Sequence, residues 1–138
     1  MAYWNCYYHL VWATKYRQPW LTREIAPFVY RAIEQKSIEF RCPILAINSV
    51  SDHIHVAVCI TPSLSISKWI GHVKGLSAHS VNAVFARLET PFKWQEGYGV
   101  VTFGEKNLPY VQNYIANQAA HHAAGKTVEK LERMDADD

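Results

Sequence analysis

Polar and apolar positions alternate through NCYYHLVWAT, with Tyr8, Leu10 and Trp12 on one side of an extended chain and Tyr7, His9 and Val11 on the other, which predicts a first strand. KYRQPW, broken at Pro19, is a basic loop. Thr22 can cap a helix running to about Phe40, with Ile25, Val29, Ile33 and Lys36 at helical spacing. CPILAINSV predicts a second strand, Ser51-Asp52 a tight turn, and HIHVAVCI a third strand that Pro62 ends. A helical period returns in SLSISKWIGHVKGLSAHSVNAVFARL, where Leu64, Ile66, Ile70, Val73 and Leu76 share a side despite Gly71 and Gly75. FKWQEGYGVVTF is strand-like though interrupted by glycine. Asn107 can cap a last helix, LPYVQNYIANQAAHH, with Pro109 in its first turn and Gly125 as its stop.

The order β-α-β-β-α-β-α is an α+β pattern, the ferredoxin-like split β-α-β with an antiparallel sheet plus a C-terminal helix. Helices are expected on one face of that sheet, leaving the other available. The 138 residues suit one domain, 1–126, followed by an acidic, flexible tail, 127–138, dispensable for activity. No repeat or linker divides the chain.

Charge sharpens this picture. Residues 1–126 hold 12 Lys and Arg against 7 Asp and Glu, whereas residues 127–138 hold 2 against 5. A mildly basic body is compatible with binding a phosphate backbone. Three cysteines without a CxxC pair argue against a disulfide framework or zinc knuckle and fit a reducing cytoplasm. The N-terminus has no signal-peptide pattern, and no uncharged run reaches the ~18–20 apolar residues of a membrane helix, so no membrane partner is expected.

The candidate chemistry lies in SVSDHIHVAV. On a strand, Ile54, Val56, Val58 and Ile60 form the core side, while His53, His55, Ala57 and Cys59 project from the other. The two histidine Cα atoms are then about 6.6 Å apart, a spacing at which neutral imidazoles can share one cation. Two exposed cross-strand histidines would give the same tripeptide. Zinc barrels that use H-x-H typically need about 250 residues, which excludes that fold. On the last helix Tyr110, Tyr114 and Gln118 recur every four residues, His121 and His122 continue near that stripe, and Val111, Ile115 and Ala119 form an apolar one beside it.

Taken in series, YHLVWATKYR, HIH after SVSD, KWIGHVKGLSAHSVN, WQEGYGVVTF and YIANQ resemble the HUH single-tyrosine transposases of small bacterial insertion sequences, including their repeat-associated relatives, from about Tyr7 to His122. The resemblance implies the same ferredoxin-like core, His53 and His55 as metal ligands, Gln118 as a third, and Tyr114 as nucleophile. It implies a DNA transposase, a metal-dependent endonuclease and strand transferase that uses Mg²⁺ or Mn²⁺ to cut single-stranded DNA beside a hairpin through a 5′-phosphotyrosine. It further implies a homodimer and no nucleotide cofactor, in keeping with a chain that lacks a P-loop or dinucleotide fingerprint. Mixed nitrogen and oxygen ligands suit Mn²⁺ better than Mg²⁺. Ser51 stands where such proteins often have proline, a change confined to the turn. His121 or His122 can add a ligand or carry a proton, and Tyr110 is the rival nucleophile.

Lys15, Arg17, Arg23, Lys68 and Lys74 are candidates for phosphate contact, and Tyr16, Trp20 and Trp69 for base stacking. Alternatives are a domesticated relative acting on chromosomal repeats, a non-catalytic single-stranded nucleic-acid-binding module, and a small-substrate metallohydrolase.

Overall fold

The β-branched side of the third strand dictates the architecture, because those side chains must leave water together. The computed structural model describes residues 3–86 and 88–134. Strands β1 (Tyr7–Ala13), β2 (Ile44–Ser49), β3 (His53–Cys59) and β4 (Gly99–Phe103) form one sheet in the order β2-β3-β1-β4, with every neighbouring pair antiparallel. Leu10 and Trp12 of β1 and Ile54, Val56 and Val58 of β3 are fully buried against α1 (Ala26–Glu39) and α2 (Ile66–Val84), which contribute Val29, Ile33, Trp69, Ile70, Val73 and Val81. Full burial of each such aliphatic side chain is worth roughly 1.5–3 kcal/mol. That layer pins the register, since a one-residue slip of β3 would turn His53 and His55 into it.

The ferredoxin-like fold is as expected, but several boundaries differ. Thr22 Oγ1 accepts from the Ile25 N–H at 3.2 Å and caps a preliminary turn, while α1 itself starts at Ala26 with Pro27 in its first turn. Helix α2 is capped by Ser65, whose hydroxyl accepts from the Lys68 N–H at 3.1 Å. It stops at Val84 rather than Leu88, and Asn82 pairs both halves of its amide with the Phe92 backbone to fold the chain back. Only Gly99–Phe103 of the fourth strand-like segment pairs as a strand, because Gly97 takes φ +88 just ahead of it. Asn107 makes no side-chain cap; a 3₁₀ turn, Glu105–Asn107, leads directly into the last helix.

That last helix is two helices, α3 (Leu108–Ala116) and α4 (Gln118–Ala123). Asn48 of β2 donates to the carbonyls of Ile115 and Ala116 at 3.1 and 3.2 Å, so these oxygens are engaged when the chain reaches Asn117. The break changes which side faces inward: Gln118 is fully buried and Ala119 exposed. Gly125 does end α4, in the left-handed region at φ +68.

The second face of the sheet is not left open. Val111 and Ile115 of α3 pack on Ala57, with Leu45, Ala46 and Phe103 beside them. Residues 127–134, expected as a flexible tail, fold back over the same face through the short helix α5 (Glu129–Glu132), with Leu131 buried. The last four residues, 135–138, lie outside the described ones.

Candidate functional site

Strand alternation delivers His53 and His55 to the second face, as the sequence implies, and hydrogen bonds from the opposite side of each ring then aim them. His53 Nδ1 donates to Asp52 Oδ1 at 2.7 Å, and His55 Nδ1 shares a 2.8 Å hydrogen bond with Nε2 of His9. His9 reaches it because β1 sets His9 opposite Ala57, diagonally from His55. With each Nδ1 engaged, both Nε2 atoms face the same space, the arrangement by which outer partners orient metal-ligating histidines. Burial, then the neighbouring His55 ring, pushes His9 down to about 3, and burial likewise lowers His55. His9 and His55 are therefore neutral near pH 7. His9 and Asp52 went unnoticed as site residues; the signal for His9 was its place on the same face as Val11, which β1 sets opposite His55.

Two further groups close on this space. His122 of α4 brings Nε2 to 3.2 Å from His53 Nε2. Glu132 of α5 sets Oε1 at 3.1 Å from His53 Nε2, 3.0 Å from His55 Nε2 and 3.2 Å from His122 Nε2. One ligand atom from each of the four residues lies within 4.8 Å of the others. Burial alone would push the Glu132 carboxyl up, but hydrogen bonds from His53, His55 and Tyr114 outweigh it and hold the group ionised. Three imidazoles and a carboxylate suit a transition-metal ion. No sequence period points to Glu132; only the return of the chain brings it here.

Tyr114, on α3, is 3% exposed, and its ring centroid is 6.0 Å from that of His55 in the same chain. Its hydroxyl donates to Glu132 Oε2 and accepts from the Val128 N–H at 2.9 Å. Burial, then the bond to Glu132, raises the phenol well above its ordinary value, so it holds its proton in this arrangement. His121 stacks flat on the Tyr114 ring, centroids 4.8 Å apart, while the adjacent His122 joins the cluster. Gln118 is 0% exposed, and neither of its amide atoms has a hydrogen-bond partner among the described residues. A buried amide without partners is costly, and an oxygen able to bind a cation would account for it. The residues present thus fit a divalent metal. Tyr110 is 57% exposed, one turn before the buried Tyr114.

The basic residues scatter. Lys15 and Arg17 follow β1 on the Asp52 side of the site, Arg17 pairing with Asp52 at 3.6 Å. Tyr16, 79% exposed, sits between them with φ 55, as does Arg17, an unusual backbone for two successive non-glycine residues. Arg23 is exposed ahead of α1, and Lys68 is exposed on α2, across the sheet from the histidines. Lys74 donates to the carbonyls of Gln95 and Gly97 at 2.9 and 2.7 Å, a structural role, and burial lowers its pKa. Trp69 is fully buried and donates to Ser37 Oγ, so it cannot stack on a base. No helix among the described residues is long and apolar enough to cross a membrane.

Comparison with known proteins places this chain in a family. Residues 2–118 match the family described as "Transposase IS200 like", a span that ends at Gln118 and leaves out His122 and Glu132. The transposase for insertion sequence element IS200 of Salmonella typhimurium is 32% identical over 131 residues, covering 89% of this chain and 83% of its own. A candidate transposase from Deinococcus radiodurans R1, known as a crystal structure, superposes with a TM-score of 0.70 at 29% identity, covering 85% of this chain and 93% of that one. A REP-associated tyrosine transposase bound to a REP hairpin shares the fold, TM-score 0.64 at 16% identity, over 92% of this chain and 76% of its own. On the family match and the IS200 relative together, this chain belongs to the IS200-like transposases.

Proposed function

We propose that the protein cleaves and rejoins single-stranded DNA next to a hairpin, with Tyr114 as nucleophile and Mg²⁺ or Mn²⁺ held by His53, His55, His122 and the amide oxygen of Gln118. One observation carries this reading: the three imidazole Nε2 atoms and the Tyr114 hydroxyl converge on a single carboxylate, Glu132, within one chain. A tyrosine and a cation site that address one small anionic group are what attack on a phosphodiester requires. A bound divalent cation would polarise the phosphate and stabilise the charge that builds on it.

The chain's own residues divide the remaining work. Asp52 and His9 hold the Nδ1 sides of the two strand histidines, so that both Nε2 atoms point at the cation site. His121, flat against the Tyr114 ring, holds the phenol's orientation. The Tyr114 oxygen bonds to phosphorus as the bond to the 3′ oxygen breaks, and the phenolic proton passes through solvent to that oxygen. The result is a 5′-phosphotyrosine and a free 3′-OH, which can later attack the phosphotyrosine and rejoin strands without a nucleotide cofactor. Lys15 and Arg17 bind phosphates on the strand's approach. In the homodimer, each tyrosine serves the histidines of its own chain, a reading supported by the 6.0 Å separation of the Tyr114 and His55 rings.

The test is covalent capture. Purified protein is incubated with single-stranded DNA from the flanks of its own gene, with Mn²⁺ or with EDTA, and resolved on a denaturing gel. A protein–DNA band is expected with Mn²⁺ alone, lost in Tyr114→Phe and His55→Ala. A band that survives Tyr114→Phe would refute the assignment.

A further inference from the structure

The tyrosine that should attack DNA is 3% exposed, and both partners of its hydroxyl, the Val128 N–H and the Glu132 carboxylate, belong to one returning segment, residues 127–133. The same carboxylate puts its other oxygen at 3.0–3.2 Å from all three imidazole nitrogens. Glu132 therefore stands as a scissile phosphate would, an anion with one oxygen toward the cation ligands and one toward the nucleophile. Two features away from the chemistry seat the segment. Leu131 is buried, and the Arg133 backbone crosses so close to β4 that a Cβ on Gly99 would stand 1.7 Å from the Arg133 carbonyl oxygen and 3.0 Å from Val11 Cγ1.

We propose that residues 127–133 are a displaceable strap in which Glu132 substitutes for the phosphodiester, so that DNA enters only when the strap leaves. The proposal rests on Tyr114 being the nucleophile of the reading above. DNA affinity and attack are then lowered by the fraction of molecules whose strap is closed. The seat at Gly99 sets that fraction, and it lies outside the ligands and the nucleophile. A glycine is needed there for the close approach of another backbone rather than for the turn of its own.

The experiment uses the full chain with Gly99→Ala, whose methyl evicts the Arg133 backbone, and Leu131→Asp as a second way to unseat the strap. Nitration of Tyr114 by tetranitromethane in EDTA, followed by peptide mass spectrometry, reads exposure of the phenol without any activity. The covalent band with Mn²⁺ and single-stranded DNA reads attack. Both variants are expected to raise Tyr114 nitration and the rate of covalent attachment by about tenfold or more. Unchanged nitration in both variants, with the fold intact by circular dichroism, would overturn the strap. Raised nitration with slower attachment would also overturn it, because Glu132 would then serve the reaction rather than obstruct it. If no chain, wild type included, forms a covalent band while nitration rises, the nuclease reading fails and the strap stands as a cover over Tyr114.

Discussion

Replacing Gln118 by Met separates what this residue does for folding from what it does for the site. Its side chain is fully buried and neither amide atom finds a partner among the described residues, so the metal-free protein carries the desolvation cost of an unpaired amide. Leaving such a group unsatisfied costs about 1–3 kcal/mol, and methionine has nearly the same length and flexibility without the polar atoms. Metal-free Gln118→Met should therefore be more stable by about 1–3 kcal/mol, or roughly 3–10 °C in Tm for a chain of this size. Saturating Mn²⁺ should shrink that advantage or cancel it. Ligand binding stabilises by RT ln(1 + [L]/Kd), and losing one oxygen ligand, taken as about a tenfold weaker Kd, removes about 1.4 kcal/mol of that increment. Urea unfolding followed by tryptophan fluorescence, with EDTA and with a Mn²⁺ series, measures both. A variant less stable in EDTA with an undiminished Mn²⁺ increment would refute the reasoning, since Gln118 would then be satisfied in the fold and idle toward the cation.

Asn48→Ala removes the two hydrogen bonds that end α3, so it should cost about 1–3 kcal/mol in urea unfolding. It should also weaken Mn²⁺ affinity in a calorimetric titration, because the break at Asn117 is what turns Gln118 and His122 inward; unchanged affinity would separate the break from the site. Acid should destabilise the metal-free protein in a defined window. His9 is held down to about 3 by burial and by His55, so below an unfolded value near 6.5 the unfolded chain binds the proton that the native one refuses. The contribution is present above about 6.5 and is lost as pH falls toward 3, with the depressed Glu132 adding in the same direction at the acid end. Urea midpoints from pH 8 to 4 should fall with pH in the wild type and less steeply in His9→Gln; an equal slope in both would discard this account.

Strand alternation and helical period were enough to read the β-α-β-β-α-β-α order and to set His53 and His55 on the face opposite Ile54, Val56 and Val58, because both follow from local geometry and from where apolar side chains must go. The family motifs up to Gln118 were equally legible. What tertiary structure alone decided has long-range causes. Asn48, sixty-odd residues before α3 ends, stops that helix at Ala116 by taking its last carbonyls, so the four-residue stripe predicted through Gln118 is broken and the buried side of α4 changes. His9 meets His55 only through the pairing register of β1 with β3. Glu132 looked like one more charge in an acidic end, and its own neighbours carry no trace of its role. Leu131 in a buried seat and the missing side chain at Gly99 draw it over the sheet, and that contact between distant segments makes a surface carboxylate the centre of the site.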